Sequence, residues 1–197
     1  MTRRSVLAAL LTGLAALGAR AQEFQADLSF PYALHGWNTV GCSADLGWSL
    51  AGSDFVGLEW TAFHPHPLSA FPGVGPVRVD QQFQILQVVG RHRFLLGRLG
   101  PAGGGFPLGF YLGGGAGLGR VRQTLPAATF SAGGPLLGAS TTEVSGELVA
   151  GFQLDLGPRG GVRAGCRYLD SFNNVNQFGA GVNTDTKALE VGLYARF

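Results

Sequence analysis

From Val144 to Leu156 every second residue is apolar or glycine: Val144, Gly146, Leu148, Ala150, Phe152, Leu154 and Leu156. The other parity holds Glu143, Ser145, Glu147, Val149, Gly151, Gln153 and Asp155. A period of two over this length predicts an extended strand, long enough to cross a bilayer, with one face for hydrocarbon and one for polar contacts. Few folds accommodate such a segment, and the pattern recurs along the chain.

Seven further segments repeat it. Phe24, Ala26, Leu28 and Phe30 alternate with Gln25, Asp27 and Ser29, and Val40, Cys42, Ala44, Leu46, Trp48 and Leu50 form an apolar face between Asn38 and Ala51. Val56, Leu58, Trp60 and Ala62 follow, then Leu108 to Leu118, Val162 to Tyr168, and Leu189 to Phe197. The segment from Val79 to Leu95 is rich in Val, Ile, Phe and Gln, but Phe83 and Ile85 share one parity while Leu86 and Val88 share the other. A strand with a bulge or a shifted phase is expected there.

Connections alternate in length. Short links fall at Ala51–Asp54 and Gly157–Gly160, with a Gly/Pro-rich one between Leu96 and Phe106, whereas longer loops run His64–Arg78, Gln123–Ser140 and Asp170–Thr186. With both chain ends on one side the strand number must be even, and eight strands close the count. The reading is all-β: an eight-stranded antiparallel up-and-down transmembrane β-barrel, preceded by a cleavable signal peptide.

The leader is residues 1–21. Arg3 and Arg4 open it, Val6 to Leu17 is an apolar run too short to span as a helix, and Ala19-Arg20-Ala21 is a small-x-small site placing cleavage between Ala21 and Gln22. The barrel domain is then 22–197. The Arg3-Arg4 pair also fits a twin-arginine signal, but a barrel must cross the inner membrane unfolded, so Sec export is expected. The leader takes three of the 14 basic residues, leaving 11 against 12 acidic, a balance of −1. With no basic run either, no nucleic-acid partner is expected.

Alternation does not say which face looks outward. A lipocalin-like carrier in the periplasm would put its apolar face inward around a ligand. Three features favour apolar-out. Gly113, Gly115, Gly117 and Gly119 share the polar face, where they make room for long side chains in a narrow lumen. The same face carries Glu59, Glu143, Glu147, Arg163, Arg167, Glu190 and Arg196, a mixed-sign set suited to an interior charge network. Phe24, Trp48 and Phe197 fall at one end of the apolar face and Tyr168 at the other, as interfacial belts require. Cys42 and Cys166 lie on that apolar face in non-neighbouring strands, which argues against a bridge, because a disulfide needs Cα atoms within about 7 Å.

The last strand, Lys187 to Phe197, resembles the signal that marks barrels for insertion, with polar Glu190, then Gly192, Ala195 and terminal Phe197. Together with Phe110-Tyr-Leu-Gly-Gly-Gly-Ala-Gly-Leu-Gly119 and Arg167-Tyr-Leu-Asp170, it is similar to the outer-membrane β-barrel domain family, the OmpA/OmpX-type eight-stranded proteins. That resemblance implies residence in the bacterial outer membrane among lipid and lipopolysaccharide, insertion by the barrel-assembly machinery, and a structural, adhesive or surface-interaction role through the long loops, whose partner the sequence does not name. No wall-binding domain is expected after Phe197.

Cofactors are not expected, and catalytic and metal sites are read as none. His64-Pro65-His66 offers two imidazoles, but with no third donor nearby in sequence a pair without a metal is expected. Gly113 to Gly119 lacks the following Lys of a phosphate loop. The stretch Arg167 to Asn174, with Gly179 to Asn183, is similar to the C-terminal region of PagL-type lipid A deacylases. Those need a His two residues before a nucleophilic Ser. Here Asp170 and Phe172 stand at those places, and Ser171 has no histidine neighbour, so an active enzyme is not expected.

Overall fold

A computed structural model describes residues 23–34, 38–50, 53–66, 68–71, 75–101, 104–124, 138–171 and 186–197. The leader 1–21 with its cleavage site at Ala21 and Gln22 lies outside them, as do 125–137 and 172–185, and with the latter Phe172. The strands are β1 (Glu23–Leu34), β2 (Thr39–Val40), β3 (Cys42–Leu50), β4 (Asp54–Phe63), β5 (Leu68–Phe71), β6 (Gly75–Arg78), β7 (Asp80–Leu99), β8 (Phe106–Thr124), β9 (Gly138–Gly157), β10 (Gly160–Ser171) and β11 (Thr186–Arg196).

Eight of these positions make one antiparallel wall, in the order β11, β10, β9, β8, β7, β4, β3, β1, and the pairing of β11 with β1 closes it. The seam runs from Gln25 opposite Arg196 to Leu34 opposite Lys187. It is finished by reciprocal backbone bonds between Phe24 and Phe197, N···O 3.2 and 2.8 Å. Closure leaves no open edge in the wall, the condition a sheet must meet in hydrocarbon.

β2 and β3 are one wall strand. Both pair with β1 in the same register, and the interruption falls at Gly41, opposite Pro31. Pro31 has no N–H to give, so the ladder keeps one bond there, from the Gly41 N–H to the Pro31 carbonyl at 2.7 Å. β5 and β6 form a separate two-stranded hairpin between the ends of β4 and β7.

The segment expected to bulge between Val79 and Leu95 does not. β7 pairs without a shift from Asp80 to Leu95, and the irregularity lies at its end, between Leu95 and Gly97. Phe83, Ile85 and Val89 point inward, while Leu86 points outward. The mixed parity has a physical cause: at this level the lumen is apolar too. β7, β8 and β9 also extend further than expected, converting the start of the 96–106 link and the edges of the 123–140 loop into strand.

The wall faces as the alternation predicted. Leu28, Leu46, Leu86, Leu112, Leu118, Leu148, Val191 and Leu193 are exposed on the outside, Leu148 at 65%. Phe94, Phe110 and Phe152 stand in file on neighbouring strands, with centroids 6.3 and 5.7 Å apart. Phe24 contacts both Trp48 and Phe197 at 6.2 and 6.5 Å, which brings together the three aromatics expected at that end. Cys42 and Cys166 are unbridged, on β3 and β10.

Candidate functional site

The lumen is stacked in three layers. Nearest the long loops, Ala33, Phe63, Phe83, Ile85, Val121 and Leu169 form a buried apolar cluster. These come from the loop ends of β1, β4, β7, β8 and β10.

Below it lies an ionic layer to which all eight wall positions contribute. Arg167 of β10, 1% exposed, is its centre. Its guanidinium donates to both carboxylate oxygens of Glu59 on β4 and to Glu190 on β11 at 2.8 Å, and its Nη1 lies 3.2 Å from Glu147 of β9. Thr61 accepts a further bond at 3.0 Å. Four residues along the same face of β10, Arg163 donates to Asp27 of β1 at 2.8 Å and to Asp45 of β3 at 3.0 Å. Arg91 of β7 completes the layer, reaching Asp27 at 3.1 Å and both Asp45 and Glu59 at 2.7 Å. Tyr111 of β8 donates to Glu190 at 2.9 Å. Asp27, Asp45 and Glu59 thus each join an arginine of β7 to one of β10, and each guanidinium uses its planar fork to serve two or three carboxylates.

The third layer sits at the short-turn end. Asp155 accepts from Tyr194 and from Arg93, the latter at 2.8 Å, with Arg196 at 3.9 Å. Between this layer and the ionic one a cavity of about 30 Å³, lined in part by Gln25, Phe55, Arg93 and Gln153, has room for about two water molecules.

Glycines let these side chains lie flat. A Cβ at Gly165 would come within 2.5 Å of the Tyr111 hydroxyl, and one at Gly113 within 2.6 Å of the Arg91 side chain. The room expected opposite Gly113 is therefore taken by an arginine of the adjacent strand.

Of the seven charges singled out by sequence, Glu59, Glu147, Arg163, Arg167 and Glu190 meet in the ionic layer. Glu143 is buried one level nearer the loops, and Arg196 stands apart in the turn-end layer. Asp27, Asp45 and Arg91 are the members that reasoning from sequence missed. Asp27 and Asp45 were visible on the polar parity, and Arg91 was hidden by the mixed phase of its segment. In the insertion-like strand, Glu190 and Gly192 face the lumen, while Ala195 and Phe197 lie on the outer parity.

A second cluster lies outside the lumen at the loop end. His64 Nε2 is 2.5 Å and His66 Nδ1 3.6 Å from the same oxygen of Asp80. The expectation that the histidine pair lacks a third donor is thus corrected: Asp80 is 14 residues downstream in sequence, but β4 and β7 are neighbours. On the outer face at this end, Arg120 and Arg122 of β8 stand beside Gln82 and Gln84 of β7. Of the stretch similar to the deacylases, Arg167 to Ser171 form the end of β10, and 172–174 and 179–183 lie outside the described residues.

No family model and no curated protein matches the chain. Solved structures do. Neisserial surface protein A, from Neisseria, superposes with a TM-score of 0.61 at 17% identity, covering 89% of this chain and 96% of that one. A major outer membrane protein from Thermus thermophilus superposes with a TM-score of 0.60 at 11% identity, covering 89% and 99%. The fold is that of the eight-stranded outer-membrane β-barrels.

Proposed function

We propose that the chain is a small integral protein of the bacterial outer membrane with a filled lumen, whose interactions with the surroundings are made at its loop end. The observation that carries this reading is the belt of exposed hydrocarbon side chains around a closed ladder. Water would penalise such a surface at roughly 25 cal/mol per Å² of apolar area, and lipid does not. The three layers of lumen side chains favour a structural or adhesive barrel over a channel, since eight strands enclose little more than their own side chains. Lipid and lipopolysaccharide are the partners of the wall in this reading. Arg120 and Arg122 favour an outer leaflet rich in phosphate, because two guanidiniums just beyond the apolar belt meet phosphate oxygens at headgroup level.

The experiment is expression in a Gram-negative host, followed by fractionation and planar-bilayer recording of the purified barrel. The expected result is heat-modifiable migration in the outer-membrane fraction and no steady ohmic steps. A mature chain that stays soluble without detergent, or one that conducts in large steps, overturns the proposal.

A further inference from the structure

The residues at the end of β4 and the start of β7 form a cluster with the donor chemistry of a metal site. In an extended backbone, residues i and i+2 lie on one face, so His64 and His66 present their rings together, centroids 4.8 Å apart, with Pro65 fixing the backbone between them. The segment is tied at three points. β4 and β7 pair up to Phe63 opposite Phe83, the Gln81 N–H donates to the Pro65 carbonyl at 3.2 Å, and the Thr39 hydroxyl donates to the His64 carbonyl at 3.4 Å. Pro65 itself is buried. Asp80 then projects from the first position of β7 toward both rings.

One donor atom from each of the three residues lies within 4.8 Å of the others. Tetrahedral ligands about 2.0–2.1 Å from one ion stand about 3.3 Å apart, a spacing reached here by small side-chain rotations. A neutral imidazole needs only a hydrogen bond to the carboxylate, and one ring suffices for that. Two rings converging on the same oxygen leave one of them without an independent reason to be there. A divalent cation satisfies all three groups together and turns a single carboxylate charge into a net +1 site. The side chains are half-exposed, which leaves coordination positions open to water.

We infer that His64, His66 and Asp80 bind one divalent transition-metal ion of borderline softness, with zinc as the reference ion. Two imidazoles and one carboxylate select zinc, nickel or copper over magnesium and calcium, which prefer all-oxygen sites. The ion clips the base of the segment 67–79, which carries the β5–β6 hairpin, to the rim of the wall. It organises a surface feature at the loop end of the wall.

The test is calorimetric titration of zinc chloride into the intact, untagged barrel in phosphatidylcholine vesicles, with zinc-edge X-ray absorption on the loaded wild-type protein. One ion per chain is expected, with an absorption signature of two imidazoles and oxygen ligands. His66→Ala and Asp80→Asn should each weaken binding at least tenfold, since even supporting residues around metals commonly cost 10- to 100-fold. His92→Ala, at the other end of the barrel where His92 pairs with Asp54 at 2.5 Å, should leave it unchanged. Heat-modifiable migration verifies that each variant is folded. Binding untouched by His66→Ala and Asp80→Asn overturns the inference, as does an absorption spectrum without imidazole or no binding below millimolar zinc.

Discussion

An arginine placed on the outer wall reads the depth of the membrane directly. On β9 the outward-facing residues from Val144 to Leu156 are all apolar or glycine, and Leu148 is the most exposed of its large side chains. A strand rising about 3.3 Å per residue and tilted about 40° gains about 2.5 Å of height per residue. Leu148 then stands about 10 Å inside Val144 and about 20 Å from Leu156, well within an apolar band about 25 Å tall. Leu148→Arg should therefore cost about 2–4 kcal/mol of barrel stability, roughly a thirty- to several-hundred-fold change in the folding equilibrium. Leu156→Arg, at the short-turn end where the arginine reaches the interface, should cost about 0–1 kcal/mol. The assay is reversible urea unfolding in lipid vesicles, comparing midpoints at equal slope. If the two variants unfold together, the wall does not sense depth at Leu148 and the assigned orientation is wrong.

The ionic layer offers a second handle. Arg167→Met leaves Glu59, Glu147 and Glu190 around a missing cation and should cost about 3–5 kcal/mol, whereas Arg167→Lys, without the planar fork, should recover only part of this. Equal urea midpoints for Arg167→Met and wild type would show that the layer contributes nothing. At the rim, the barrel should be more stable in vesicles containing lipid A than in phosphatidylcholine alone, and the double variant Arg120→Ser, Arg122→Ser should lose only that increment. Loss of stability in both lipids, or an increment that survives the double change, removes the phosphate reading of this pair.

The strands were legible from parity, their number and closure from the alternating loop lengths, and the outward direction of the apolar face from the glycines, mixed-sign charges and end aromatics that parity sorts onto its two faces. A one-residue slip would have turned every side chain of a strand over, and Glu59, Glu147 and Arg163 would then have faced lipid. Instead they are buried. Parity failed at β7, where the lumen itself changes character. Phe83 and Ile85 belong to the inner face beside Gln81 and Gln87, so an inside-polar rule misread the strand as broken and concealed Arg91 with it. The His64–His66–Asp80 cluster was illegible for a different reason. Its third donor is supplied by the pairing of β4 with β7 across a hairpin insertion, a tertiary fact to which a local motif search is blind.

The layering also explains how a buried ion network persists in this barrel. Charges removed from water hold only when their partners are fixed, and an approach from the loop side would let solvent compete for every guanidinium. The apolar cluster of Phe63, Phe83, Ile85, Val121, Leu169 and Ala33 closes that approach. On the opposite side, the aromatic and carboxylate layer of Tyr194, Asp155 and Arg93 narrows the entrance. Among the described residues, seven buried carboxylates, from Asp27, Asp45, Glu59, Glu143, Glu147, Asp155 and Glu190, stand against five arginines in this lumen, of which Arg93 and Arg196 lie at the turn end. Acids therefore outnumber cations away from the turn end, six carboxylates to three arginines. Hydrogen bonds from Thr61, Tyr111 and Ser43, through Thr61, supply part of what cations do not. A polar substitution in the seal, such as Phe83→Ser, thus acts on the ions below it as well as on its own packing, which couples the loop end to the centre of the wall.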